Sequence, residues 1–565
     1  MVTTFDVKQY HCSCSQNKHP YHVIGGFDLG TAHLRLQGWS YTGAYRLQIH
    51  PSRPNGQIKA LRFGSETGIT FKMSIGHQIK SNSMTQPPFF SGSLDEKKRT
   101  LNSEPVHLNS CGSSGILDEK GKINGAVNKI LQPFRLSQQQ LCEISTRLLK
   151  GMEKGLKKQN NSDVTIKMIH TFVRHTADRT ENGDFLVLHV DKNVKVMLVE
   201  LLEDGEIAKV KGKKNYDLPR DILRGTVTQL FDRLADCLYR FLDSQGIKDQ
   251  KLPLGFSFAY PCEKGAMIEC KKELEIPELE NKNIISLLNA AISKREDFNI
   301  GYAFLVNNVV ATMMSCAYHD LSCEIGLIVD DGTNACYMEE LCNEEGVKES
   351  VCINTEWAAF GDDGVLGDFR TNIDKELDLK SRKPFKSTFE KMISGMYMGE
   401  IVRLILVKLV NEKLLFQGLT TPVLLEKDSF KTQHIFEIEK DAEGLDKASE
   451  ILKSLGLQPS REDCEVVQQV CIAVSTRSAH LCAAGLATIA NRIRNNRGLR
   501  HFDTTVAVDG TVYNEHPKFS QRLQEALKLL APECDVSFMP REDSSGIGAA
   551  IVAGKELRKR KRGLV

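Results

Sequence analysis

The sequence predicts an α/β protein with mixed sheets, and three observations carry this. Short apolar runs of strand length, at 254–258, 325–329 and 504–508, alternate with stretches whose apolar residues recur at helical spacing. Two of these runs end in Asp-Gly turns, Asp331-Gly332 and Asp509-Gly510. Two of the helical stretches, 389–415 and 466–491, are long and apolar enough to lie in a core. Strands alternating with long helices call for layered sheets covered by helices.

Taken in order, residues 136–156 place Leu141, Ile144, Leu148, Leu149 and Met152 on one helical face, with Ser137 as N-cap. Residues 185–188 and 194–201 read as two strands joined by a turn. Residues 230–241 form an amphipathic helix, and the strand at 254–258 follows. After the strand at 325–329 come the two long helices and then the strand at 504–508.

The chain has 565 residues, 41% of them hydrophobic, which is enough for a sizeable core. That length corresponds to about two to four domains. The net charge of +2 argues against a general nucleic-acid binder. Sixteen cysteines lack metal-ligand spacing, and Cys12-x-Cys14 stands alone, so no metal site is predicted. No apolar N-terminal run of signal or membrane length is present, so no membrane insertion is predicted. Reduced thiols then imply a cytoplasmic protein. The basic run Arg558-Lys559-Arg560-Lys561-Arg562 reads either as a nuclear-import signal or as a solvated helix end. Residues 1–121 differ from the rest. Between 80 and 115 they are rich in Ser, Asn, Pro and Lys, a composition that reads as linker or disorder. Asp28-Leu29-Gly30-Thr31 in this extension fits a phosphate-loop word but lacks the surrounding strands that give the word meaning.

Several longer words carry a resemblance. They are Leu131-Gln132-Pro133-Phe134-Arg135-Leu136, the run from Leu252 to Phe258, Val306-Asn307-Asn308-Val309-Val310-Ala311-Thr312-Met313-Met314, the run from Cys352 to Trp357, and the run from Phe389 to Glu400. Together and in this order they resemble one catalytic unit of the hexokinases, covering residues from about 122 to 558. The resemblance implies two actin-like (ribonuclease H-like) lobes closing on a sugar: a small lobe at 122–320 and a large lobe at 321–565. It also implies Mg-ATP as cofactor if the chain is active, a glucose-like hexose as ligand, and glycolytic glucose phosphorylation as the family's reaction.

The family's catalytic word usually reads V-N-D-T-V-G-T-M-M, and its Asp takes the proton from the attacking sugar hydroxyl. Asn308 stands there in this chain. An amide has no basic lone pair near neutral pH and cannot act as general base. The neighbouring Thr of the family is Val309. Asn307, Glu356, Glu390 and Asn334 stand at sugar-binding positions, while Ala259 replaces a serine of the sugar signature. The family's W-T-K-G-F is changed around Lys271 and Lys272, of which Lys272 keeps the lysine.

The phosphate turns are also altered. The family's L-D-L-G-G-T-N-F-R reads Leu188-His189-Val190-Asp191-Lys192-Asn193-Val194-Lys195, one residue short and without its glycines. Glycines let backbone amides approach phosphate, and Asp191 places negative charge there instead. His189 reads as a tolerated strand-end residue. The turn usually reading V-G-T-G-S-N is Val329-Asp330-Asp331-Gly332-Thr333-Asn334. The turn Asp509-Gly510-Thr511 is better kept, and Ser544-Ser545-Gly546 replaces the start of G-S-G-K-G-A-A. Gly332, Asp509, Gly510, Thr511 and Gly546 are the nucleotide-binding positions implied, with weak nucleotide binding at most. The combined expectation is a catalytically impaired, hexose-binding pseudoenzyme. The alternatives are a low-activity hexokinase, in which Asp330 or Asp331 substitutes as base, and an interaction protein with a vestigial cleft.

Overall fold

Two sheets that share a five-strand topology position everything that follows. The computed structural model describes residues 24–25, 34–40, 43–49, 119–157, 164–202, 208–270, 274–342, 347–441 and 443–563. The chain divides into two units, Met1–Gly112 and Ser113–Val565. The first carries an antiparallel sheet of Ile24–Gly25, Leu34–Ser40 and Gly43–Ile49, strands that the reading of this extension as linker did not include. The Asp28-Leu29-Gly30-Thr31 word, the Cys12-x-Cys14 pair and the 80–115 stretch lie outside the described residues.

In the second unit, one sheet orders its strands Ala303–Asn307, Leu254–Phe258, Gly183–Val190, Asn193–Leu201, Lys209–Asp217. The first three are parallel and the last two continue antiparallel. The other sheet repeats the pattern with Cys534–Pro540, Phe502–Asp509, Cys323–Val329, Thr333–Cys342 and Lys348–Asn354, and adds Ile169–His170 at its edge. Within the five strands the sheets share, the first three in sequence form a meander, the fourth lies parallel beside the first, and the fifth lies parallel beside the fourth. The central strands are buried along their length and read as continuous apolar runs; Leu254–Phe258 is buried at every position. The edge strand Lys209–Asp217 is lysine-rich and largely exposed, a composition that discourages edge-to-edge pairing.

The helix Gln138–Lys157 has its amide at Gln140 capped by Ser137 Oγ at 3.2 Å, and buries Leu141, Ile144, Leu148 and Met152. That apolar face joins the core of the large lobe. The small lobe therefore does not begin at residue 122 as expected: the first helices belong with the later chain. The converse holds at the other end. Helix Ser544–Lys561 packs between the sheets against helix Asn308–Ala317, in a core shared with Val187, Met197, Ile328 and Cys336. Gly548 makes this contact possible, since a Cβ there would lie 1.7 Å from the Ala311 carbonyl oxygen. A single cut at residue 320 thus does not separate the two cores.

The expected helix at 389–415 is two helices, Thr388–Ile393 and Gly395–Asn411. Ser394 between them is extended (φ −74°, ψ 156°), and Gly395 N–H donates to the Asp330 carbonyl at 2.7 Å. A tertiary hydrogen bond thus interrupts an apolar pattern that is locally continuous. The helix expected at 466–491 spans Arg461–Asn496, capped by Ser460 and Asp463. It is the one described helix long and apolar enough to cross a membrane, and 83% of its apolar window is buried inside the lobe. It is thereby a core helix.

Candidate functional site

The site lies where the ends of both sheets meet. Strand Ala303–Asn307 stops at Asn307, whose Oδ1 accepts from Val309 N–H at 3.1 Å and so caps helix Asn308–Ala317. Asn307 Nδ2 reaches the Phe258 carbonyl at 3.5 Å, tying the cap to the neighbouring strand. Asn308 is buried, and its Oδ1 shares the same Val309 N–H at 2.9 Å.

Opposite stands a polar cluster from the other lobe. Glu356 adopts a left-handed conformation (φ 49°) after strand Lys348–Asn354, which turns its carboxylate back toward that strand's end. Its Oε1 accepts from Asn334 Nδ2 and Asn354 Nδ2, both at 3.0 Å, and its N–H donates to Asn334 Oδ1 at 3.1 Å. Glu390 Oε2 accepts from Thr333 N–H at 3.1 Å. Thr333, Asn334, Glu356 and Glu390, with Asn308, Ala259 and Gly332, line one pocket with about 30 Å³ of space, room for a water or two. Cys262 adjoins it; burial, with the Glu356 charge adding, pushes its thiol up to about 12, so it is not a nucleophile at neutral pH.

The two hairpin turns beside this pocket are joined by charge. Lys192, from the turn of the small lobe, places Nζ 3.0 Å from Asp331 and 3.9 Å from Asp330 in the turn of the large lobe. Burial works against the Lys192 charge, but Asp330 and Asp331 hold its pKa above the ordinary lysine value. Asp330 Oδ1 accepts the Thr511 N–H at 3.0 Å and also the Thr511 hydroxyl. Gly510, which only glycine can fill at φ +117° with Val329 O 2.2 Å from a would-be Cβ, gives its N–H to Asp509 Oδ1 at 2.8 Å. Asp509 Oδ2 accepts from Ser544 Oγ at 2.6 Å. Burial raises the Asp509 carboxyl above its ordinary pKa despite these hydrogen bonds.

Two hexokinase family models match this chain, one over residues 126–318 and the other over 324–554. A hexokinase from Schistosoma mansoni, solved in complex with glucose, superposes with a TM-score of 0.72 at 36% identity, covering 77% of this chain and all of that one. This chain belongs to the hexokinase family. Among curated relatives, rat hexokinase-2 is 47% identical over 441 residues and human hexokinase-1 is 45% identical over 441, each match covering 76% of this chain and 48% of the relative. The chain thus spans about half the length of these hexokinases. The paired sheets are the two actin-like lobes of the hexokinase fold.

On this hexokinase framework Asn308, Asn334, Glu356, Glu390 and Gly332 come together, as the motif words implied. Asn307 caps the helix beside them. Lys272 lies outside the described residues. Asp509, Gly510 and Thr511 form one turn, but their donors are already engaged. Gly546, one of the expected nucleotide positions, lies in the first turn of the last helix. It is buried, its N–H donates to the Asp543 carbonyl at 3.0 Å, and a Cβ there would strike Met197 Sδ at 2.5 Å, so it serves helix packing. His189 Nδ1 lies 3.0 Å from Ser257 Oγ and 3.4 Å from Ser545 Oγ, a polar lock between strand and helix. In the basic run at the end of the last helix, Arg560 stacks over Tyr302 and Phe304 and Arg558 approaches Asp178 at 3.7 Å, while residues 560–562 are exposed.

Three functional residues escaped the sequence reading. Asn354 holds Glu356 and lies inside the Cys352–Trp357 word, where its amide was the available signal. Thr333 orients Glu390 through its backbone, which no side-chain pattern announces. Asp543 precedes the last helix and takes Lys195 at 2.7 Å and Lys213 at 2.9 Å, cations more than 300 residues away in sequence.

Proposed function

We propose that this chain is a hexose-binding member of the hexokinase family in which phosphoryl transfer is impaired. The observation that carries the proposal is the pairing of Asp330 with Thr511. The carboxylate takes the N–H and the hydroxyl of the phosphate turn, so a phosphate oxygen approaching the turn would have to displace it. Asp331 adds a second negative charge nearby, and Asp191 stands on the facing hairpin. Mg-ATP therefore fits poorly here: a triphosphate gains from amide cradles and cations, whereas this turn offers carboxylates already served by Lys192.

The base position supports the same reading. Asn308 cannot accept the hydroxyl proton. Neither Asp330 nor Asp331 is free to substitute, being engaged by Thr511 and Lys192. The pocket's own carboxylates, Glu356 and Glu390, are acceptors for amides. That arrangement suits sugar hydroxyls, since a carboxylate fixed by two amide donors keeps lone pairs for O–H donors. We assign glucose or a similar hexose to this pocket and the chain to the cytoplasm, the described cysteines all being free thiols.

The test is calorimetric titration of glucose and of Mg-ATP into the purified chain, followed by a coupled phosphorylation assay. Glucose binding with weak Mg-ATP binding and little turnover is the expected result. Ordinary hexokinase turnover would overturn it, and absence of glucose binding would leave an interaction protein with a vestigial cleft.

A further inference from the structure

Glu181 is a buried titratable group with no part in the sugar pocket. It lies in the crossover, residues 171–182, that carries the chain from strand Ile169–His170 of the large lobe to strand Gly183–Val190 of the small lobe. It is 2% exposed, and among the described residues no donor reaches either carboxyl oxygen with hydrogen-bond geometry. Its stem packs on the last helix beside Phe185: a Cβ on Gly554 would lie 3.2 Å from Glu181 Cβ and 3.1 Å from Phe185 Cζ. Beside its carboxyl is a second one, that of Asp178, within reach of a shared proton.

A buried carboxylate without donors is strongly disfavoured, and a second carboxylate next to it makes ionisation harder still. A proton carried by Glu181 and donated to Asp178 resolves both problems. The surroundings decide which of the two carries it. Asp178 is exposed, accepts from the Thr180 N–H at 3.2 Å and from the Thr180 hydroxyl, and has Arg558 at 3.7 Å. Burial works against its charge, but the Thr180 hydroxyl and Lys555 outweigh it and hold the Asp178 carboxyl below its ordinary pKa. Burial raises the Glu181 carboxyl, and the Asp178 charge adds to this.

Lys555 brings the last helix into the same place. Its ammonium donates to the carbonyls of His175, at 3.0 Å, and Thr176, and so fastens the crossover to that helix. The charges of Asp178 and Glu181 both act on it. The other cations around the pair are committed. Arg179 donates to the carbonyls of Tyr318 at 2.9 Å and His319 at 2.6 Å, Arg558 faces Asp178, and Lys559 pairs with Glu556. The Tyr318 hydroxyl, also near Glu181, donates to the Leu202 carbonyl at 2.7 Å.

We propose that Glu181 and Lys555 form a proton-operated latch on the crossover between the lobes. With Glu181 neutral, the Lys555 ammonium stays on the His175 and Thr176 carbonyls. When Glu181 releases its proton to solvent, the buried carboxylate draws the ammonium to itself and the two carbonyls are freed. The latch stands apart from the sugar pocket and does not depend on the proposed function.

The test is infrared difference spectroscopy of the full chain, wild type against Glu181→Gln. At about pH 6, above the ordinary glutamate value, the wild type should show the carbonyl stretch of a protonated carboxylic acid, absent from the variant. Raising the pH should replace it with a carboxylate band. A raised folded value means that the stabilisation is fully present below the ordinary 4.5 and is lost as pH rises through the folded value. The wild-type melting temperature should therefore fall with rising pH relative to Glu181→Gln. Hydrogen exchange of residues 173–181, corrected for its intrinsic pH dependence, reads the latch itself. It should quicken with pH in the wild type, stay constant in Glu181→Gln and be fast throughout in Lys555→Met. Asp178→Asn, at an exposed position, should move the loss of the acid band about one pH unit lower. A wild type without the acid band at about pH 6, or a pH-dependent exchange that survives in Glu181→Gln, would overturn the proposal.

Discussion

Lys192 and Asp331 meet across the cleft at 3.0 Å, each from the hairpin turn of its own lobe. These two turns are topologically equivalent, the first hairpin of each sheet, and in the hexokinase pattern both face phosphate. Here they face each other with opposite charges, and Asp330 beside them occupies the donors of Thr511. The cleft is closed on its own side chains.

Replacing the two carboxylates should reopen the phosphate site. Asp330→Gly with Asp331→Thr returns the turn to the family word and frees the Thr511 N–H. We expect Mg-ATP to bind at least about tenfold tighter, about 1.4 kcal/mol, measured by calorimetry. Unchanged affinity would mean that the shortened turn at Asp191-Lys192 alone sets the weakness.

Catalysis should not return with the base alone. The wild type is expected to phosphorylate glucose at least about 10²-fold more slowly than an intact relative, because general base catalysis contributes about 10²–10⁴. Asn308→Asp should recover only part of that deficit, since Ala259, Val309 and the engaged phosphate turn remain and such groups act as a unit. A coupled assay on the single variant decides this; a rate near that of an intact hexokinase would refute the weight given to the other changes.

Sugar binding should depend on Glu356. Millimolar glucose is expected to raise the melting temperature slightly, and Mg-ATP to leave it nearly unchanged. Glu356→Ala removes the acceptor that Asn334 and Asn354 hold in place, and the glucose shift should vanish. A shift that survives in this variant would place the sugar elsewhere.

Stability of the large lobe should depend on Arg477. Its guanidinium, fully buried, makes two 2.8 Å hydrogen bonds to Asp374 and stacks over Phe134. Arg477→Met strands the carboxylate. Breaking a buried pair in this way costs about 3–5 kcal/mol, which should appear as a large drop in melting temperature.

The same pair sets an acid dependence. Burial opposes ionisation of Asp374, but the Arg477 charge outweighs it and holds the carboxyl below 3.8. A depressed folded value means that the stabilisation is fully present above the ordinary carboxyl pKa and is lost as pH falls through the lower folded one. Melting temperature should therefore decline below about pH 4. In Arg477→Met the unpaired carboxyl moves the other way, and acid should relieve part of the defect. A decline of equal size in both proteins would exclude this pair as its source.

Much of the site was legible because its residues sit in contiguous words at strand ends. Asn308, Glu356 and Glu390 each belong to a run that folds as one loop or helix start, so recognising the run locates the side chain. The strand at 254–258 was legible because a central strand buried on both faces is apolar throughout. Ser137 was legible because capping is local. The break at Ser394 was not, since the bond that causes it runs from Gly395 to Asp330. The packing of Gly546 against Met197 was not legible either, because the two are neighbours only in space.

The sequence by itself determined the family, the alternation of strands and helices, and the asparagine at position 308 where the family's word has aspartate, all of which are carried by residue identity or short-range periodicity. Tertiary structure alone decided that the first helices complete the large lobe, that the last helix lies between the sheets, and that Asp330 takes the Thr511 donors from 181 positions away. The reason is physical. A hydrogen bond or ion pair between distant segments depends on which strands lie side by side and how their ends are placed, and local pattern carries no record of that.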